Sequence, residues 1–139
     1  MRIIGKIVST IMLLTCSTAL SAQTIYNSSH ATAGYVKDGT VYNSSHSTQG
    51  YIRNDGTVQN SSHSTIGYIR NDGTVQNSSH STIGYVRNDG TVQDSSHSTI
   101  GYIRSDGTIQ NSSHSTIGYA KGVSQRDAAA VLFFFGWIR

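Results

Sequence analysis

The chain has 139 residues, enough for one domain, yet only 36% are apolar and 12% charged, below the roughly 45–50% and 25% usual in soluble proteins. Such a composition excludes a thick hydrophobic core and shifts stability onto backbone pairing and the stacking of like units. The formal charge of +3 falls to +1 once a segment holding Arg2 and Lys6 is removed, too little for an electrostatic footprint on nucleic acid.

Met1–Ala22 has the layout of a secretory leader: basic Arg2 and Lys6, an apolar stretch Ile7–Leu14, then small residues from Ser17 to Ala22. Cleavage after Ala22 would leave Gln23 first; cleavage after Ser21, with Ala19 three residues before the cut, is the alternative. The apolar stretch is far shorter than the roughly 20 residues of a membrane helix, so the mature chain is expected to carry no transmembrane span. Cys16 is the only cysteine, and Leu13-Leu14-Thr15-Cys16 is loosely similar to a bacterial lipobox. It is either lost with the leader or lipidated, and no disulfide braces the mature chain.

Residues 23–122 hold six near-identical units of 17 residues, typified by TVQNSSHSTIGYIRNDG at 57–73. Two short strands per unit are expected, one centred on Thr57-Val58-Gln59 and one over Ser64–Arg70, because both are rich in β-branched and aromatic residues and bounded by turn formers. Arg70-Asn71-Asp72-Gly73-Thr74 predicts a type I turn closed by a left-handed glycine. The first unit is one residue shorter, and a tight Asp38-Gly39 turn there would keep Lys37 opposite Thr40 and Val36 opposite Val41. The other connection, Asn60-Ser61-Ser62-His63, is polar, with an Asn side chain suited to bonding nearby backbone. The expected fold is all-β: tandem 17-residue hairpin repeats in an extended meander sheet, with a β-solenoid as the alternative.

Each candidate chemical group recurs at one repeat position. His30, His46, His63, His80, His97 and His114 form one row, which reads as exposed turn residues or as a metal site for Zn²⁺ or Cu²⁺. Tyr35, Tyr51, Tyr68, Tyr85, Tyr102 and Tyr119 form another, which reads as cross-strand support over Gly and beside Gln, or as a stacking platform for glycans and other flat ligands. Asp38, Asp55, Asp72, Asp89 and Asp106 sit where a turn wants a carboxylate and lack the dense oxygen ligands of a calcium loop. Asn27, Asn43, Asn60, Asn77 and Asn111 open Asn-Ser-Ser sequons that are read as turn chemistry. Ser and His recur together with no specialised acid, and a catalytic centre needs one distinguished site rather than equivalent copies. No enzymatic activity and no cofactor are expected.

In residues 123–139, Ser124-Gln125-Arg126-Asp127 predicts a helix capping box, followed by an apolar run through Phe133-Phe134-Phe135-Gly136-Trp137-Ile138. This tail is expected to be a short helix or apolar cap on the last unit's open strand edge, with a membrane-surface anchor or partner contact as alternatives.

The chain resembles a group of small exported bacterial tandem-repeat proteins of unknown function. The resemblance rests on Gly67-Tyr68-Ile69, Asp72-Gly73-Thr74-Val75 and their copies, Gly118-Tyr119-Ala120-Lys121-Gly122 and Ala130–Phe135. It covers most of the mature chain and implies export and a repeat sheet. The polar strand-turn-strand units also resemble curli-type amyloid subunits, with a shorter period and different Gln and Asn placement. The resulting expectation is a secreted or bacterial cell-envelope protein, structural or adhesive. It would self-associate through exposed strand edges or meet an envelope or glycan surface. A binding protein using the His or Tyr rows is the alternative.

Overall fold

The computed structural model describes Gln23–Ile138, so the expected leader lies outside the described residues. Twelve strands alternate along the repeats: β1 Thr24–Asn27, β2 Thr32–Lys37, β3 Thr40–Asn43, β4 Thr48–Ile52, β5 Thr57–Asn60, β6 Thr65–Ile69, β7 Thr74–Asn77, β8 Thr82–Val86, β9 Thr91–Asp94, β10 Thr99–Ile103, β11 Thr108–Asn111 and β12 Thr116–Lys121. Each unit is one hairpin, and each strand pairs antiparallel with its sequence neighbours.

The sheet is closed. β1 pairs with β12 through Thr24–Lys121, Ile25–Ala120, Tyr26–Tyr119 and Asn27–Gly118, which makes a twelve-stranded barrel. This corrects both expected architectures, the extended meander and the solenoid. The local pairing is that of a meander, but strand twist accumulated over six near-identical hairpins brings the last strand to the first. Closure satisfies the two backbone edges that an open sheet would expose. Self-association by strand addition therefore has no edge to start from among the described residues.

The turns follow the local chemistry. Gly56, Gly73, Gly90 and Gly107 have φ of 90–93°, each closing a turn such as that in which Arg70 N–H donates to Thr74 O at 2.8 Å and Gly73 N–H to Arg70 O at 3.0 Å. In the shorter first unit Asp38 and Gly39 both have positive φ, 52° and 79°, as a type I′ turn requires. Lys37 faces Thr40 and Val36 faces Val41, while Ile69 faces Val75 in a longer copy. Losing a residue changes the turn class and preserves the apolar pair.

A bulge in every unit sets which side chains face inward. Val58 pairs with Gly67 and Gln59 with Thr65, leaving Ile66 unopposed. Val58, Gly67 and Ile69 then point into the bore and are buried, while Thr57, Gln59 and Tyr68 face outward. Ile66, Ile83 and Ile100 pack partly against the core from the bulge.

Eight strands already leave an interior that side chains just fill, and diameter grows with strand number, so a ring of twelve needs a filling. The C-terminal tail supplies it. Helix α1 (Gln125–Ala129) is capped by Ser124, whose hydroxyl accepts from Asp127 N–H at 3.1 Å. It enters beside the Asn-Asp-Gly turns, where the Gln125 side-chain amide donates to Ile103 O at 2.8 Å. Ala128, Ala129, Ala130 and Val131 are fully buried among the wall's Val and Ile side chains. The chain continues as one π-helical turn, Ala130–Phe134, with Phe135 N–H donating to Ala130 O at 2.9 Å. The tail is thus a plug, not a cap on an open strand edge, because no such edge remains.

Past the plug's alanines the wall side chains become small and the plug side chains large. A Cβ added to Gly101, Gly84, Gly67, Gly50 or Gly34 would collide with Phe133, Phe134, Phe135, Trp137 or Ile138 respectively. For Gly67 it would stand 2.8 Å from the Phe135 ring, and for Gly50 2.5 Å from the Trp137 ring. Successive tail residues therefore seat in successive hairpins. The wider π-turn reduces the angular step below the roughly 100° of an α-helix, closer to the one-sixth turn between neighbouring hairpins. Gly136, at φ 61°, ends the helix and lets Trp137 N–H reach Val131 O at 3.0 Å.

Two predictions follow from this packing and from the turn carboxylates. Gly84→Ala forces the wall methyl against Phe134 and Gln93 O and should cost about 1–3 kcal/mol by overpacking. Adding Phe134→Leu should return part of that loss, seen as a non-zero coupling in a urea-denaturation double-mutant cycle; strictly additive effects would show that the ring does not occupy the glycine notch. Asp55, Asp72, Asp89 and Asp106 each accept a backbone N–H from the Thr two residues on, at 2.9–3.0 Å. That bond, aided by the Thr hydroxyl, holds each carboxyl below its ordinary 3.8. Their folded values lie below the unfolded one, so their stabilisation is complete above about pH 4 and lost as pH falls through the folded values. Burial pushes Asp127 up from 3.8, against the neighbouring Arg126, so its stabilisation is complete below about pH 4 and lost as pH rises through the folded value. Acid titration followed by circular dichroism should show net destabilisation below pH 4, flattened when the four turn aspartates become Asn.

Candidate functional site

The outer surface is built from the Asn-Ser-Ser-His turns and the outward residues of the strands. In the third unit Asn60 Oδ1 accepts the N–H groups of Ser62 and Ser64, both at 3.0 Å, and His63 N–H donates to Asn60 O at 3.0 Å. Asp94 makes the same bonds to Ser96 and Ser98 at 2.9 and 3.0 Å, which explains why Asp substitutes for Asn in the fifth unit. The Asn side chains of the sequons are thus engaged in turn closure.

All six histidines have left-handed backbone, φ 65–69°, a conformation costing a non-glycine residue roughly 1–2 kcal/mol. The return is a stack. His63 lies on Tyr51 of the preceding hairpin with ring centroids 4.3 Å apart and planes 17° from parallel. His46 on Tyr35, His80 on Tyr68, His97 on Tyr85 and His114 on Tyr102 repeat it at 4.3–4.5 Å. His30 on Tyr119, at 4.3 Å, closes the ring across the β1–β12 seam. Such pairs contribute roughly 0.5–1.5 kcal/mol each, enough to offset much of the strained turn. The two rows that the sequence separates are therefore one feature, six His–Tyr stacks that tie each hairpin to the next.

The structure places the metal-candidate histidines one per junction, each against a tyrosine ring rather than against another imidazole. Among the described residues no three His, Cys, Asp or Glu side chains gather as metal ligands would. The tyrosines lie beside Gln as expected, Tyr68 facing Gln76. The neighbouring glycine points the other way, into the bore, so Tyr does not pack over it; the bulge and pleat put them on opposite faces.

Around the stacks the junctions are alike but not identical. Arg53 lies over the Tyr51 ring at 5.8 Å and donates through Nε to Gln59 Oε1 at 3.1 Å. Arg87 does the same with Tyr85, at 5.6 Å, and Gln93, at 2.8 Å. On either side of the first hairpin the Gln is replaced by tyrosine, Tyr26 facing Tyr119 and Tyr42 facing Tyr35, and the Arg by Lys121 and Lys37.

A family model described as 5-fold beta-flower protein matches residues 22–136. The chain belongs to this family. No curated protein and no solved structure matches it. This beta-flower protein closes on six hairpins, and five of its six inward strand glycines carry a tail side chain. The sixth, Gly118, meets only the backbone of Tyr26 and Asn27, and neighbouring Ile117 is the one large apolar side chain left exposed among the described residues, at 41%.

Two features escaped the reading of the repeat as a uniform pattern. The glycine notches and the tail side chains are mutual partners, for which the only sequence signal is five large tail residues beside six repeated glycines. Tyr26, Tyr42, Lys37 and Lys121 are departures from the repeat consensus, visible in the sequence but brought together only by closure.

The stacks imply coupling between units. A Tyr51→Ala/His63→Ala cycle should give about 0.5–1.5 kcal/mol of interaction energy in chemical denaturation. Purely additive losses would show that the rings do not support one another in solution.

Proposed function

We propose that this beta-flower protein is a non-enzymatic, exported scaffold that displays equivalent side-chain clusters to a repetitive glycan surface of the bacterial envelope or matrix. The observation that carries the reading is the ring of six His–Tyr stacks, one at each junction, on the outside of a barrel whose bore is filled. A filled bore leaves the exterior as the working surface. Half-buried tyrosines flanked by Thr, Gln, Ser and His offer both a flat apolar face and hydrogen-bonding groups, the combination sugars require. Each contact is weak alone, but contacts repeated round a rigid ring gain by avidity when the target repeats too.

The copies also argue against catalysis, since the histidines, the Ser-Ser pairs and the Asp-Gly aspartates recur in equivalent settings, and Asp94, the exception near a histidine, accepts the backbone N–H groups of Ser96 and Ser98 as its Asn counterparts do. Strands of four to six residues fall short of the roughly 9–11 needed to cross a bilayer as a barrel, and their outward residues are Thr, Gln, Tyr and Asn. No described helix is long and apolar enough to cross one either. Export rests on the leader-like Met1–Ala22. A metal-binding role for the histidines would need ligands drawn together from several junctions, and among the described residues no three His, Cys, Asp or Glu side chains gather.

Fractionation of the native host with mass spectrometry of the N-terminus tests export: the expected forms begin at Gln23, near it, or at a lipidated Cys16, and an intact Met1 form in the cytoplasm overturns export. Co-sedimentation with insoluble envelope and matrix polysaccharides tests binding. Retention that long chains compete and free monosaccharides do not is the expected multivalent signature; no retention on any polysaccharide overturns the glycan reading.

A further inference from the structure

Resting on that reading, we infer that the groove between the first and second hairpins is a distinct subsite for an acidic sugar, a hexuronate residue of a polysaccharide. The groove has about 380 Å³ and is lined by Gln23, Thr24, Tyr35, Lys37, Tyr42 and His46, with Val36 at its floor. That volume is at the lower end of small-molecule sites, roughly 300–1,000 Å³.

The groove lies where the repeat consensus is broken. At two of the four consensus junctions, second to third unit and fourth to fifth, an arginine folds over the tyrosine ring and is pinned by the facing glutamine, so the flat face is covered; at the other two, Gln76 and Gln110 have no such partner. Here Tyr42 stands where the glutamine would, and a phenol ring offers no amide oxygen to pin a guanidinium. Lys37 stands where the arginine would, and an ammonium is a compact charge that does not lie flat on a ring as guanidinium does. Both changes uncover aromatic surface and leave a free cation at its edge. Tyr35 is held in place from one side by His46, at 4.5 Å.

Each lining group matches a part of a hexuronate. The C–H face of a pyranose is apolar and flat, and it packs on tyrosine rings. The Gln23 amide and Thr24 hydroxyl reach ring hydroxyls, and the exposed Lys37 ammonium pairs with the C6 carboxylate. No carboxylate lines the groove, and the sequence holds no acid before Asp38. The other grooves differ on this point. The matching one at the seam, lined by Tyr26, His30, Tyr119 and Lys121, also contains Asp106, which opposes an anion. A groove of similar size between turns carries Asp55 and Asp72. The acidic ligand therefore selects the first groove over its near copy.

The test restores the consensus instead of deleting side chains. Tyr42→Gln with Lys37→Arg gives this groove the residues its siblings carry, so folding, checked by thermal melting, should be retained. Binding of the exported chain to polygalacturonate, and to neutral dextran of similar length, is measured by calorimetry at low and physiological salt. The unmodified chain should prefer polygalacturonate and lose affinity as salt rises. The double variant should bind it at least ten-fold more weakly, while the Tyr26→Gln, Lys121→Arg variant of the seam groove changes little. Unchanged polygalacturonate affinity in the folded Tyr42→Gln, Lys37→Arg variant overturns the subsite and leaves the scaffold reading standing. Equal, salt-insensitive binding of both polymers overturns the acidic specificity alone, and binding of neither polymer overturns the subsite, with the polysaccharide survey above deciding whether the scaffold reading falls with it.

Discussion

A tail side chain sits where each of five wall glycines has none, and the rest of the architecture depends on that exchange. A twelve-stranded ring encloses more space than its own inward Val and Ile residues fill. An empty bore of that size would forfeit the dispersion contacts and water exclusion that make a barrel stable. Small plug residues, Ala128 to Ala130, pass where the wall carries Val and Ile, and large ones, Phe133 to Ile138, spread where the wall carries only glycine. Neither component has a core alone: a hairpin exposes one apolar face, and the tail is an isolated apolar run.

Filling the bore and closing the ring reinforce each other. Closure needs every hairpin at the same tilt, and the plug touches five of the six at one structural position. The His–Tyr stacks do on the outside what the plug does on the inside, linking each hairpin to the next in sequence and the last back to the first. The backbone cost of six left-handed histidines is thereby largely offset by contacts between units. A chain poor in apolar residues becomes one cooperative body through geometry more than through the amount of surface it buries.

Symmetry of this kind also sets where specificity arises. Near-identical junctions present near-identical surfaces, which suits a repeating target and not a unique small molecule. Difference enters where the first hairpin meets its neighbours, through Tyr26, Tyr42, Lys37 and Lys121. At the plug it enters in the sixth sector, where Gly118 has no tail partner and Ile117 stays exposed. Sixfold repetition supplies the frame, and the few departures from it supply chemistry.

Much of the local structure was legible in the residues. The alternation of β-branched and aromatic positions marked β5 and β6 and their copies, Asn-Asp-Gly and Asp-Gly specified their turns down to the Lys37–Thr40 register, Asn60 closed its own loop, and Ser124 capped α1. Each of these is decided within a few residues by backbone preference and short-range hydrogen bonding, which sequence displays directly. Closure is different in kind. Whether twelve strands form an open sheet or a ring depends on small twists summed over the repeat and on whether something fills the interior, and no single unit records that sum. The same limit hid the pairing of His63 with Tyr51 and of Phe134 with Gly84, partners 12 and 50 positions apart. The sequence by itself determined the hairpin, its turns and its inward face; only the tertiary structure decided that six hairpins meet, that the tail goes inside, and which tyrosines are left uncovered.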